Sequence, residues 1–143
     1  MLHNLKYKKQ EEISTFLGHW LGAELSEIKA YNTIDAVVGV PLHKNKEKTR
    51  GYNQVTCFGR AIAGALGVDY LEDVLVKVSK TDSQVFKSRL KRIQEHHKFT
   101  LANKHILLVD DIITTGATLE SCATQLQQAE NIKISIATMA ISL

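Results

Sequence analysis

Two adjacent carboxylates and a turn of small hydroxylic residues stand side by side in the chain: Asp110 and Asp111, then Thr114-Thr115-Gly116-Ala117-Thr118. A turn of this composition that opens a helix offers backbone N–H groups, threonine hydroxyls and the positive end of the helix dipole. Those are the parts of a phosphate site. Carboxylates are hard acceptors, so the paired acids suit sugar hydroxyls or a Mg²⁺ ion that bridges them. A second group is cationic. His43, Lys44, Lys46, Lys48 and Arg50 lie in the polar stretch Leu42 to Asn53, where Glu47 is the only acid. Concentrated positive charge with exposed N–H groups is what a pyrophosphate needs. A third group, Thr81, Gln84, Lys87, Arg89, Lys91 and Arg92, stands in the polar run Ser79 to Lys98.

The elements that must hold these residues follow from hydrophobic pattern. Ile106-Leu107-Leu108-Val109 is a continuous apolar run, as expected of a strand buried on both faces within a parallel sheet. The acids fall where such a strand would emerge at an exposed end, and Leu119 to Gln128 can be helical. In open α/β sheets ligands bind outside the carboxyl ends of the strands. Upstream, Ile13, Phe16, Leu17, Trp20, Leu21, Leu25 and Ile28 recur at helical spacing, which predicts an amphipathic helix from about Glu11 to Lys29 with Trp20 in the core. Gly18 and Gly22 weaken that helix but let another element approach closely. Ala36 to Val40, closed by Pro41, reads as a buried strand, and Tyr52 to Leu66 as the helix after the cationic loop, with Gly51 easing the turn. Asp73 to Val78 and Lys133 to Ile141 read as further strands. The run Ser79 to Lys98 is too long for a plain turn, and is expected to be partly helical from about Ser83 to Glu95 or a mobile flap. The alternation of strands and helices gives an α/β fold, a mostly parallel central sheet flanked by helices on both faces. A response-regulator receiver domain also carries paired acids at a strand end, but near its start; here only a short tail follows them.

The 143 residues are enough for one domain, taken as 1–143. With 44% hydrophobic and 23% charged residues the composition is that of a soluble globular protein. No apolar run approaches the roughly 20 residues of a bilayer span, and the first residues lack the pattern of a signal peptide, so the cytoplasm is the default location. Cys57 and Cys122 form neither a Cys-x-x-Cys pair nor a zinc spacing and are expected as buried free thiols. The adjacent His96 and His97 point apart on any regular element and make no shared metal site. A net charge of +3 without aromatic–basic interleaving gives no support to direct nucleic-acid contact.

The run Ile106 to Thr118 resembles the 5-phosphoribosyl-1-pyrophosphate (PRPP) motif of type I phosphoribosyltransferases: a hydrophobic strand, two acids, two apolar residues and a Thr/Ser-Gly-x-Thr phosphate loop. More of the chain is similar to one branch, the ComF or GntX-like (competence protein F) family. Leu5-Lys6-Tyr7, Val40-Pro41, Arg50-Gly51-Tyr52-Asn53-Gln54 and the series Thr81, Gln84, Arg89, Arg92 all match its pattern. Two departures stand out. Glu95 replaces a common Asn, and the amino-terminal Cys-x-x-Cys zinc module of many members is not in this sequence, as in a naturally short or a truncated member.

The resemblance implies a type I phosphoribosyltransferase-like fold and site roles. Asp110 and Asp111 would take the ribose hydroxyls, directly or through Mg²⁺. Thr114, Thr115, Gly116, Ala117 and Thr118 would cradle the 5-phosphate. Pro41, Leu42, His43 and Lys44 would form the pyrophosphate loop, with Arg50 neutralising the leaving group and Lys87, Arg89 and Arg92 a lid. The implied reaction displaces pyrophosphate from PRPP in favour of an unidentified acceptor, with no general base named. The alternatives are a non-catalytic PRPP-binding regulator and an accessory factor in competence, that is, DNA uptake. A homodimer is among the expected partners; a membrane is not.

Overall fold

The structure, a computed structural model, describes residues 2–41, 54–77, 86–89 and 99–142. Helix α1 spans Leu2–Ser26 and is followed by a 3-10 turn at Lys29–Tyr31. It begins some nine residues before the predicted start, because Leu2 to Gln10 contains no glycine or proline to stop it although it lacks apolar periodicity. Strand β1 (Ala36–Gly39), helix α2 (Gln54–Leu66) and strand β2 (Asp69–Leu71) follow, then β3 (Leu75–Lys77) and β4 (Phe86–Ser88). Strand β5 (His105–Ile113), helix α3 (Ala117–Leu126) and strand β6 (Lys133–Ile141) complete the order.

The main sheet runs β2-β1-β5-β6, with every neighbour parallel. Residues on alternate positions of β5 feed two cores. Leu107 and Val109 pack with Val37 against Val55, Phe58 and Ile62 of α2 and Leu25 of α1. Ile106 and Leu108 pack with Val38 against Leu119, Cys122 and Leu126 of α3, together with Leu75 and Phe86. The sheet is thus covered on both faces, as the pattern predicted. Two strand assignments change. One edge of the main sheet is β2, which the pattern missed, while the predicted third strand supplies β3, which pairs antiparallel with β4 in a separate two-stranded sheet. Asp73 between them takes a left-handed backbone (φ 60), which turns the chain out of the main sheet. Strand β4 also falls where a helix from Ser83 was expected; residues 90–98, with His96 and His97, lie outside the described residues.

The rotation of α1 corrects a second expectation. Its buried face is Ser14, Gly18, Gly22 and Leu25, so Trp20 is not core but 59% exposed, with Ile13 and Phe16 beside it also exposed. The glycines decide this. A Cβ on Gly18 would stand 2.4 Å from the Phe58 carbonyl oxygen and one on Gly22 2.6 Å from the Ala65 Cβ. Helix α2 therefore seats where α1 has no side chains, and the bulky stripe faces the other way. Gly18 and Gly22 thus admit the close neighbour that their lack of side chains allows.

At the opposite end of the sheet from the paired acids, His105 is buried. Its Nδ1 shares a hydrogen bond with Thr33 Oγ1 and its Nε2 one with Ser135 Oγ, both at 2.7 Å, and its backbone N–H donates to Asp35. Burial, then the charge of Lys133, holds its pKa below the ordinary value and the ring neutral. No helix among the described residues is long and apolar enough to cross a membrane.

Gly18→Ala is expected to lower stability by about 1–3 kcal/mol despite its better helix propensity, because the new Cβ meets backbone rather than a yielding side chain. Gly64→Ala on α2, where nothing lies within 4 Å of the added Cβ, is expected to raise it by about 0.5–1 kcal/mol. Urea unfolding of both variants checks the pair.

Candidate PRPP-type site

The site begins where strand lengths part. β1 last pairs with β5 at Gly39 and Val109, and the Val40 N–H still donates to the Val109 oxygen at 2.9 Å. β5 continues to Ile113 paired only with β6, with Asp110 opposite Thr138. The acids therefore do not emerge from a strand end, as expected; they sit inside a strand, at the point where one neighbour has left. Asp110 lies on the α3 side, and its charge is felt by the Cys122 thiol, which burial first of all pushes up to about 12. Asp111 lies on the α2 side, where Gln54, the first residue of α2, donates from Nε2 to its Oδ2 at 3.2 Å.

Their environments separate the two carboxyls. Asp110 is buried, 7% exposed, contrary to the expectation that both acids lie open, and burial pushes its pKa up to about 7. The Asp111 N–H donates to its Oδ1 at 2.8 Å and opposes that rise, while a hydrogen bond to the Asp111 carboxyl and its charge add to it. Asp111 is half-buried and its Oδ1 accepts the Ile112 N–H at 2.8 Å. Two neighbouring carboxyls, one of them retaining a proton near neutrality, are a donor set that a divalent cation fits: a hard ion would take the place of that proton. Among the described residues no group of three or more His, Cys, Asp or Glu forms a metal cluster.

Directly after β5 comes the turn into α3. Gly116 precedes the helix with φ 85, a left-handed conformation that disfavours any side chain, and as the N-cap residue it has no side chain with which to cap the helix. Thr115 Oγ1 accepts the Ala117 N–H at 3.3 Å, and the Glu120 N–H closes the first intrahelical bond to the Gly116 oxygen at 2.9 Å. The remaining first-turn N–H groups have no carbonyl in reach by helix geometry. Thr114, Thr115 and Ala117 are exposed and Thr118 half-buried, so the turn is open to an anion at the positive end of the dipole.

Of the predicted site residues the structure brings together Asp110, Asp111 and Thr114 to Thr118. Pro41 follows Val40, whose N–H donates to the Val109 oxygen next to Asp110, and it lines a cleft of about 420 Å³ with Gly39, Cys57, Arg60, Tyr70 and Glu72. Arg60 and Glu72 form an ion pair there. Burial, then Glu11, pushes the Cys57 thiol up, so it is no reactive thiolate. Leu42, His43, Lys44, Arg50 and Arg92 lie outside the described residues. Lys87 belongs to β4, and the N–H of Arg89 donates to the Val74 oxygen at 2.7 Å. The adjacent Ser88 donates from Oγ to Gln128 Oε1 just beyond the carboxyl end of α3. Gln54 is the residue that sequence reasoning left without a role; its place at the end of Arg50-Gly51-Tyr52-Asn53-Gln54 was the signal.

Residues 56–141 match the phosphoribosyl transferase domain model, more than half of the chain. The chain therefore belongs to the phosphoribosyl transferase domain family, in its ComF-like branch. It is similar to the DNA utilization protein YhgH of Escherichia coli, 27% identical over 131 residues that cover 86% of this chain and 58% of that protein. It is also similar to the competence protein ComFC of Streptococcus pneumoniae, 35% identical over 108 residues, 72% of this chain and 46% of that protein. The chain thus spans about half to three-fifths of the length of these relatives. Among solved structures, adenine phosphoribosyltransferase from Saccharomyces cerevisiae aligns with a TM-score of 0.56 at 21% identity, covering 95% of this chain and 68% of that one. The fold is that of type I phosphoribosyltransferases.

A raised carboxyl pKa fixes the sign of a pH effect. Between the ordinary carboxyl range and about 7 the folded chain holds a proton on Asp110 that the unfolded chain releases, so stability falls as pH rises through that window. Asp110→Asn is expected to gain on the parent by on the order of 2 kcal/mol between pH 5 and pH 8. Comparing parent with variant removes the opposite contribution of His105, whose lowered pKa costs stability as pH falls below its ordinary value. A difference that stays constant with pH would contradict the burial of Asp110.

Proposed function

We propose that the chain binds PRPP together with Mg²⁺ and transfers its phosphoribosyl group to an acceptor, releasing pyrophosphate. The observation that carries this reading is the juxtaposition of the Asp110–Asp111 pair with the uncapped first turn of α3, one side suited to ribose hydroxyls and the other to a phosphate. Bound Mg²⁺ would supply positive charge to the pyrophosphate. Asp111, oriented by Gln54, would accept a ribose hydroxyl and fix the sugar. The backbone N–H groups of residues 116–119 and the hydroxyls of Thr114, Thr115 and Thr118 would hold the 5-phosphate. Pro41, with Leu42, His43, Lys44 and Arg50 beyond it in sequence, would border the pyrophosphate, with Lys87, Arg89 and Arg92 as a lid. Charge stabilisation of the departing group and exclusion of water would then carry the rate.

The names of the relatives, which speak of competence and DNA utilization, favour a second reading, an accessory factor in competence, in which PRPP would be bound and not consumed. Thermal unfolding separates these from no binding at all. PRPP with Mg²⁺ at about 100 times its Kd is expected to raise the melting temperature by roughly 5–10 °C, and Asp111→Asn to abolish most of that rise. An unchanged parent, or a variant that shifts equally, would sink the site assignment. Pyrophosphate release on addition of candidate acceptors would then separate transfer from sensing.

A further inference from the structure

The outward face of α1 plays no part in the site above. It carries Ile13, Phe16 and Trp20, exposed by 55%, 67% and 59%, on one stripe of the helix. At 100° per residue the stripe runs on through exposed Lys9 at its amino end and exposed Glu27 just past its carboxyl end. Neither charge has an ion-pair partner among the described residues. The spacing is symmetric about its midpoint. An antiparallel copy of the same helix laid across it sets Phe16 against Trp20, Ile13 against Ala23, and Lys9 against Glu27. Glu12 and Glu24, also equidistant from the midpoint, lie on opposite flanks and do not meet. A hollow of about 420 Å³ lined by Lys8, Glu11, Glu12, Thr15, Phe16 and His19 flanks the stripe.

We infer that this face is a twofold interface between two copies of the chain. An isologous contact must be complementary to itself, and an apolar centre with a lysine at one end and a glutamate at the other meets that condition only in the antiparallel sense. The two aromatic pairs form the desolvated centre and the two Lys9–Glu27 pairs the rim, which fixes direction more than affinity.

Sedimentation velocity over a micromolar concentration series tests this. The parent is expected to show a reversible monomer–dimer equilibrium, with the emission of Trp20, the single tryptophan, moving to shorter wavelength as dimer forms. Trp20→Glu is expected to raise the dimer Kd by about 30-fold or more, with the helical circular dichroism unchanged. Lys9→Glu or Glu27→Lys alone should weaken the dimer several-fold, and the two together should restore it. A parent that stays monomeric, a dimer indifferent to Trp20→Glu, or charge reversals that fail to rescue one another would each overturn the proposal; in the first case the stripe serves some other protein.

Discussion

Strand β5 is hydrogen-bonded on both sides as far as Val109 and on one side beyond it, and the molecule is arranged around that asymmetry. Ile106, Leu107, Leu108 and Val109 are wholly buried because both edges and both faces of the strand are occupied. Once β1 ends at Gly39, the backbone of β5 keeps its pleat through its pairing with β6. The two acids thereby keep the backbone geometry of a paired strand beyond the point where β1 ends. A loop could present the same residues, but with less precision.

That placement also explains why adjacent aspartates differ. A pleated strand turns consecutive side chains to opposite faces. Asp110 falls over the core capped by α3, and burial raises its pKa to about 7. Asp111 falls over the amino end of α2, where Gln54 and a backbone N–H hold it as an acceptor. The pair can therefore offer a donor and an acceptor near neutrality, or two acceptors once a cation displaces the proton. The turn into α3 is set by the same strand: after Ile113 the chain leaves the sheet, and Gly116 permits the tight entry into α3.

Much of this was legible in the residues. Four consecutive apolar positions followed by two acids and a Thr-Thr-Gly-Ala-Thr turn specify a buried strand and a helix start together. Two kinds of feature were not legible. The acids read as a strand end because the apolar run stops at Val109, whereas the strand is prolonged by pairing with β6, a non-local fact. Likewise Ile13, Phe16 and Trp20 share a helical stripe with Leu17 and Leu21, and hydrophobicity alone points them all inward; the contact is set by the missing side chains of Gly18 and Gly22. Strands of three residues such as β2 and β3 carry too little periodicity to be told apart until Asp73 is seen to divert the chain.

The central claim is a location, so a residue-resolved measurement tests it most directly. Backbone and side-chain amide resonances of the isotopically labelled chain would be followed while PRPP and Mg²⁺ are added. The account predicts that the largest changes fall at Asp110 to Ile112, at Thr114 to Leu119 and at the side-chain amide of Gln54. Saturable changes centred instead on the cleft around Arg60 and Tyr70, with the phosphate turn unmoved, would contradict it.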